Sequence, residues 1–263
     1  MASYRPVTAA MRGLDVLAAT SRLGGRATLA ELHRLTGLDK STILRMLETL
    51  EHAGFVIRDD ERRSYQVTGK TLQLSAGYDR HRAVGAIVAP ALSAFRTAVG
   101  WPSDVAIFDH DAMLVVETSR EVGPMFLNRR PGYRAPVLAT SLGLAYLAHC
   151  GDGERAAVLA RAAGDPQPWN EIARDPALAE RTIAAIRAQG YATMSPSYER
   201  QEYAGKISSL GVPIARDGRI YAAMNILYLL NALTPAQAAA TLLGPLQETA
   251  RKLADELARR SVE

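Results

Sequence analysis

Apolar residues between Met11 and Ala19 (Met11, Leu14, Val16, Leu17 and Ala18) recur at helical spacing, and Gly24-Gly25 closes the segment as a turn. Thr28-Leu29-Ala30-Glu31 has the form of a capping box: the hydroxyl accepts from the amide three residues on, and the carboxylate reaches back. Leu29, Leu32 and Leu35 give a second helix its stripe, and Gly37 ends it. Asp39 is placed to cap a third helix whose Ile43, Met46, Leu47 and Leu50 fall at i, i+3, i+4 and i+7, ending near Gly54. The period then changes. Phe55-Val56-Ile57 and Tyr65-Gln66-Val67 read as strands around the charged loop Asp59-Asp60-Glu61-Arg62-Arg63. Three short helices and a hairpin predict a winged helix-turn-helix whose third helix enters the major groove.

Further on, Thr68 can cap a helix running from about Lys70 toward Ala98, with Pro90 as a kink or boundary. Val105 to Phe108 and Met113 to Glu117 read as strands around a polar turn, Ser141 to Ala148 and Ala177 to Gln189 as helices, and Ile220 to Leu230 as one apolar strand. Thr234-Pro235 opens a last helical region that Gly244-Pro245 should divide in two. The class is mixed α/β (α+β).

Composition narrows the function classes. The 263 residues are 48% hydrophobic and 22% charged, which excludes disorder and low-complexity classes. The single cysteine, Cys150, excludes an internal disulfide framework and a Cys-rich zinc finger, and points to a reducing, intracellular setting. Met1 to Pro6 lacks a signal-peptide core and no apolar run approaches ~18 residues, so a soluble, cytoplasmic protein without a membrane partner is expected. Net charge is +4, and residues 1–82 hold 13 Lys+Arg against 9 Asp+Glu, leaving 18 of each beyond. The whole excess therefore sits in the segment expected to face nucleic acid.

On the third helix the outward face carries Lys40, Ser41, Thr42 and Arg45, residue types that bond phosphates and base edges. A plain interaction module with these four solvated is the alternative. Arg62 and Arg63, with Arg58, can reach phosphate or the minor groove from the wing, opposed by Asp59, Asp60 and Glu61. Beyond the first third no G-x-S-x-G, H-E-x-x-H or G-x-G-x-x-G occurs, and Gly205-Lys206 fails as a phosphate loop because Ile207 and Arg200 occupy required positions. Asp109-His110-Asp111 has metal-ligand types but lies where a tight turn explains it, and His149-Cys150 reads as a helix terminus. No catalytic residue, metal or cofactor is assigned. Asn225 sits mid-strand, where a buried amide needs partners and an outward-facing one does not. Arg129, Arg130 and Arg134 crowd one loop, as carboxylate clamps or as solvated charges.

Arg12-Gly13-Leu14-Asp15-Val16-Leu17, then the string from Leu38 to Leu50, then Gly54-Phe55-Val56 resemble the IclR family of bacterial transcription regulators. Pro136 through Ala148, and Ile186-Arg187-Ala188-Gln189-Gly190-Tyr191 through Val212-Pro213-Ile214, extend the resemblance over essentially the whole chain. Trp101-Pro102-Ser103-Asp104-Val105 with Asp111-Ala112-Met113 resembles the subgroup that activates 3-(3-hydroxyphenyl)propionate catabolism. The resemblance implies a tail (1–7), a winged helix-turn-helix (8–68), a linker helix (69–84) and a GAF-like α/β effector-binding domain (85–263), an antiparallel sheet flanked by helices. Arg12 of the first string joins the DNA-binding set. By family position Thr140, Ser141 and Leu142 hold the ligand carboxylate at a helix start, where amides and dipole favour an anion. Leu127, Ile207, Ser209 and Glu199 match lining positions, while Ser141 stands where glycine is frequent and Ser209 where cysteine is frequent. The expectation is a homodimeric or tetrameric regulator binding double-stranded operator DNA and a small aromatic or other carboxylate. It would control a catabolic operon, as an activator that engages RNA polymerase. The competing reading is a small-molecule-processing enzyme with a helix-turn-helix interaction module.

Overall fold

The computed structural model describes residues 5–119 and 130–260. The chain divides into two compact units that meet between Asp79 and Arg80. In the first, α1 (Thr8–Arg22), α2 (Leu29–Thr36) and α3 (Lys40–His52) enclose a core of Val16, Leu17, Leu32, Ile43 and Leu47. The capping box forms as expected, with the Glu31 amide donating to Thr28 Oγ1 and the Thr28 amide donating to Glu31 Oε2 at 2.8 Å. Gly37 supplies the left-handed residue that ends α2, with φ of 69°. The wing has one strand more than the pattern showed. β1 (Arg26–Thr28), β2 (Val56–Asp59) and β3 (Ser64–Val67) form an antiparallel sheet in the order β1-β3-β2. Three residues wedged between a glycine turn and a helix cap carry no period long enough to read.

The helix expected from Lys70 toward Ala98 is broken. Thr68 does cap, accepting from the Lys70 amide, but the segment it caps is a 3₁₀ turn, Gly69–Ser75. A fresh helix, α4 (Arg80–Val99), starts beyond Gly77 and belongs to the second unit, so residues 69–84 are not one linker helix. Gly69 and Gly77 bracket the turn, and glycine in a helix interior costs about 1 kcal/mol each. Pro90 lies inside α4 without ending it. Among the described helices α4 alone is long and apolar enough to cross a membrane; its Val84, Val88, Leu92 and Phe95 are buried in the fold.

The second unit is built on β4 (Ser103–Asp109), β5 (Ala112–Thr118), β6 (Arg134–Pro136), β7 (Ala192–Thr193), β8 (Ile207–Arg216) and β9 (Arg219–Leu229). They pair antiparallel in the order β6-β5-β4-β9-β8-β7. The sheet carries α5 (Ser141–His149) on the face of Gly211 and Ala223, while α4 and α10 (Pro235–Arg259) cover the other. Around α5 lie α6 (Asp152–Ala162), α7 (Glu171–Arg174), α8 (Pro176–Gln189) and α9 (Pro196–Tyr203), with a 3₁₀ turn, Pro168–Asn170, ahead of α7. The expected division at Gly244-Pro245 does not occur, since α10 runs through both. Ala238, Leu242, Leu246, Ala250, Leu253 and Leu257 keep one buried face along its length, and that burial outweighs the amide proline lacks.

Candidate nucleic-acid interface and sensing site

The start of α3 is organised by one carboxylate. Asp39 Oδ1 accepts from the Ser41 hydroxyl at 2.5 Å and the Thr42 amide at 2.8 Å, and Oδ2 accepts from the Thr42 hydroxyl at 2.7 Å. Led by the Ser41 hydroxyl, these bonds hold the Asp39 carboxyl well below the usual carboxylate range. Ser41 and Thr42 therefore offer lone pairs outward while their hydroxyl protons point to Asp39, so they suit base N–H donors better than phosphate oxygens. Lys40 and Arg45 are exposed and their side chains have no partner among the described residues. Leu44 stands exposed between them, outside the inward stripe of Ile43, Met46, Leu47 and Leu50, and sequence reasoning did not single it out.

On the wing, Arg58 pairs with Asp60 at 2.6 Å, and the Arg62 amide donates to Asp59, whose carboxylate also takes Arg26 at 3.2 Å. The acidic residues expected to oppose the wing arginines thus engage two of them. Arg63, at the turn with φ of 47°, keeps a guanidinium with no described partner. Arg12 is exposed on α1, one residue before Gly13, which packs against Met46 of α3.

In the second unit Thr140 caps α5, accepting from the Gly143 amide and donating to the Pro136 carbonyl. Ser141 Oγ and Ser209 Oγ lie 2.7 Å apart, both buried, and Leu142 is in the core. The approach is close because glycines permit it: a Cβ on Gly143 would overlap Val137 O, and one on Gly211 would overlap Ser141 O. Asn225, opposite Gly211, is buried on the same face, and its Oδ1 accepts from the Asp104 amide at 2.8 Å. Thr118 Oγ1 donates to Asp104 Oδ1 at 2.6 Å, extending a buried polar row across β9, β4 and β5 that the sequence did not single out. Ile207 opens β8 half-buried and Glu199 is half-buried on α9. The structure thus brings Ser141, Ser209 and Asn225 to one face of the sheet.

Arg134 departs from the expected clamp. Its guanidinium is held by Asp109 and Asp111 and donates to the Asp109 carbonyl at 3.0 Å, closing the β4–β5 turn instead of facing a ligand. Desolvation works against its charge, but the two aspartates more than compensate and raise its pKa. The same bonds account for Asp109-His110-Asp111 as a turn. Leu127 and Arg129 lie outside the described residues. Cys150 is buried at the end of α5, and burial pushes its thiol up to about 11, which keeps it protonated at neutral pH.

A winged helix-turn-helix joined in one chain to an α/β domain with a polar, helix-capped sheet face places the chain in the class of two-domain DNA-binding regulators. Residues 9–60 match the IclR helix-turn-helix domain, and residues 77–255 match the bacterial transcriptional regulator IclR C-terminal domain. The chain belongs to the IclR family of DNA-binding transcriptional regulators. It is 27% identical over 250 residues to the DNA-binding transcriptional repressor YiaJ of Escherichia coli, covering 94% of this chain and 86% of that one. A putative transcriptional regulator of Rhodococcus, RHA06195, superposes with a TM-score of 0.64 at 25% identity, covering 97% and 99% of the two chains. An IclR homolog of Microbacterium hydrocarbonoxydans, solved with 4-hydroxybenzoate, has the same fold with a TM-score of 0.65 at 21% identity, covering 95% and 99%. The family and these relatives are transcriptional regulators, not enzymes. The two family-model matches set the family, and identities at this level do not assign a subgroup within it.

Proposed function

We propose that this regulator controls a catabolic operon for aromatic carboxylic acids and responds to a small aromatic carboxylate bound at the start of α5. The observation that carries the reading is the helix start itself: the Ser141 and Leu142 amides begin α5 directly opposite Ser209, beside Asn225. Orphan amides and the helix dipole attract a carboxylate there. Because the Thr140 and Ser141 hydroxyls are already bonded, the anion is met by backbone, with Glu199 and Ile207 in the lining; the family resemblance adds Leu127 and Arg129 to that set. The Microbacterium relative in complex with 4-hydroxybenzoate supports this ligand class.

DNA is read by α3 in the major groove, with Lys40 on phosphate, Arg45 on guanine, Ser41 and Thr42 accepting from bases, and Arg12, Arg62 and Arg63 steadying the backbone. The unit bearing α3 also presents Val7, Met11 and Leu14 at i, i+4 and i+7, each more than half exposed. A second copy covering that stripe gives the homodimer that two operator half-sites require, and a tetramer pairs two such dimers. The ligand shifts the DNA-competent population through a coupling of about 1–3 kcal/mol. The subgroup resemblance implies activation with RNA polymerase as partner, whereas YiaJ is a repressor.

The test is to capture fragments of the source genome on the purified protein and sequence them, then titrate the captured site with 4-hydroxybenzoate and 3-(3-hydroxyphenyl)propionate. Palindromic sites beside an aromatic catabolic cluster, with affinity changed by either acid, are expected; a promoter reporter gives the sign. Retention uniform across the genome, or no response to either acid, overturns the reading.

A further inference from the structure

A cavity of about 450 Å³ lies among β6, α6 and the Pro168–Asn170 turn, and among the described residues none of those assigned to DNA or to the carboxylate lines it. Its walls are apolar: Val137 and Leu138 after β6, Val158 and Ala162 of α6, and the Trp169 ring. A volume in this range suits a small ring compound. Asn170 lines the same space. It is 5% exposed, and its backbone amide donates to the Gln167 carbonyl, but its side-chain amide has no hydrogen bond among the described residues. Its carboxamide is not sealed from the space it lines, so a donor and an acceptor stand side by side at the cavity wall. Its complement is another group with acceptor and donor adjacent. The charged residues at the opening do not favour an anion: Asp111, already bonded to Arg134, and Asp165 stand against Arg161, whose guanidinium donates to the His110 carbonyl.

We propose that this cavity is a second small-molecule site, selective for a neutral, flat compound with a carboxamide or lactam edge that pairs with Asn170 and packs on Trp169. It accepts a different chemistry from the carboxylate reading of α5, so the protein would register two signals.

The chain has two tryptophans, so a Trp101→Phe variant of the full-length protein leaves Trp169 as its only indole reporter. Titration with benzamide or 2-pyridone is expected to change Trp169 emission saturably, and benzoate, the anionic counterpart of benzamide, is expected to bind this site at least ~10-fold more weakly. Adding Asn170→Leu should weaken the benzamide response by a similar factor. Ala162→Phe, which fills the cavity from α6 and leaves Asn170 in place, should abolish it and carries the test if the Asn170 variant does not fold. No saturable response to either neutral probe, a benzoate response equal to that of benzamide, a benzamide response undiminished in folded Asn170→Leu, or one that survives in folded Ala162→Phe overturns the proposal.

Discussion

Asp39 serves two ends of the first unit that pull in opposite directions. Its three hydrogen bonds fix the first turn of α3, but its negative charge stands beside Lys40, the cation proposed to meet phosphate. Since its folded pKa is depressed, the stabilisation it gives is fully present above the ordinary carboxylate value of about 4 and is lost as pH falls below that. Asp39→Ala should therefore lower the melting temperature at neutral pH, with the gap to wild type closing on acidification; a gap that does not change with pH would remove the ionic role. Asp39→Asn keeps a cap acceptor and removes the charge, so it should raise non-specific DNA affinity at low salt, read by fluorescence anisotropy. Tyr228 offers a contrasting case. Its ring is fully buried and burial raises its pKa; its hydroxyl makes no well-formed hydrogen bond among the described residues, and Ser208, its cross-strand neighbour, acts only to lower that pKa part of the way back. An unmet buried hydroxyl contributes nothing, so Tyr228→Phe should leave stability unchanged or raise it by up to about 1 kcal/mol in urea unfolding. A loss of more than that would mean the hydroxyl is bonded.

At the level of elements, the legible part of the sequence was whatever local chemistry decides. The Thr28–Glu31 capping box, the Asp39 cap and the stop at Gly37 are each written in two or three adjacent residues, and each forms. The turn of Asp217 and Gly218, both with positive φ, joins β8 to β9, and an Asp-Gly pair is a local hairpin signal of the same kind. The illegible part depends on partners distant in sequence. β1 exists because β3 pairs with it, and α10 survives Pro245 because its stripe packs on β8, β9 and α4, whose residues are fixed by pairings elsewhere in the chain. The same holds at the site. Thr140 could be read as a helix start, but the commitment of Arg134 to Asp109 and Asp111 and the meeting of Ser141 with Ser209 are tertiary facts. Pro245 makes the argument quantitative: it withholds one amide and strains the turn before it, a cost of about 3 kcal/mol in a helix interior. Pro245→Ala should recover part of that and shift the denaturation midpoint upward, whereas a drop would mean that α10 needs the bend to stay seated.

At the scale of the whole molecule, charge alone proves a weaker guide than it first looked. With the units dividing at Asp79 rather than three residues later, Arg80 and Arg82 pass to the second unit, and the surplus of the first falls from four to two. A surplus of two leaves little bulk attraction, so the proposed reading rests operator affinity on the few cations that α3 carries and on the proposed pairing of two copies. Both requirements can be separated experimentally. Arg45→Ala removes one base contact per subunit, so specific operator binding should weaken by about 1–3 kcal/mol per half-site while non-specific binding is nearly kept. Met11→Glu with Leu14→Glu instead charges the stripe on α1, where both side chains already face solvent, so the fold of the unit is spared. Light scattering should then show a smaller assembly, and operator affinity should fall at least ~100-fold because the two half-sites are no longer reached by linked modules. Binding of the aromatic acid to the second unit should be unaffected. An unchanged assembly with unchanged operator affinity would move the dimer contact away from α1, and a loss of ligand binding would mean that the second unit depends on the assembly for its own structure.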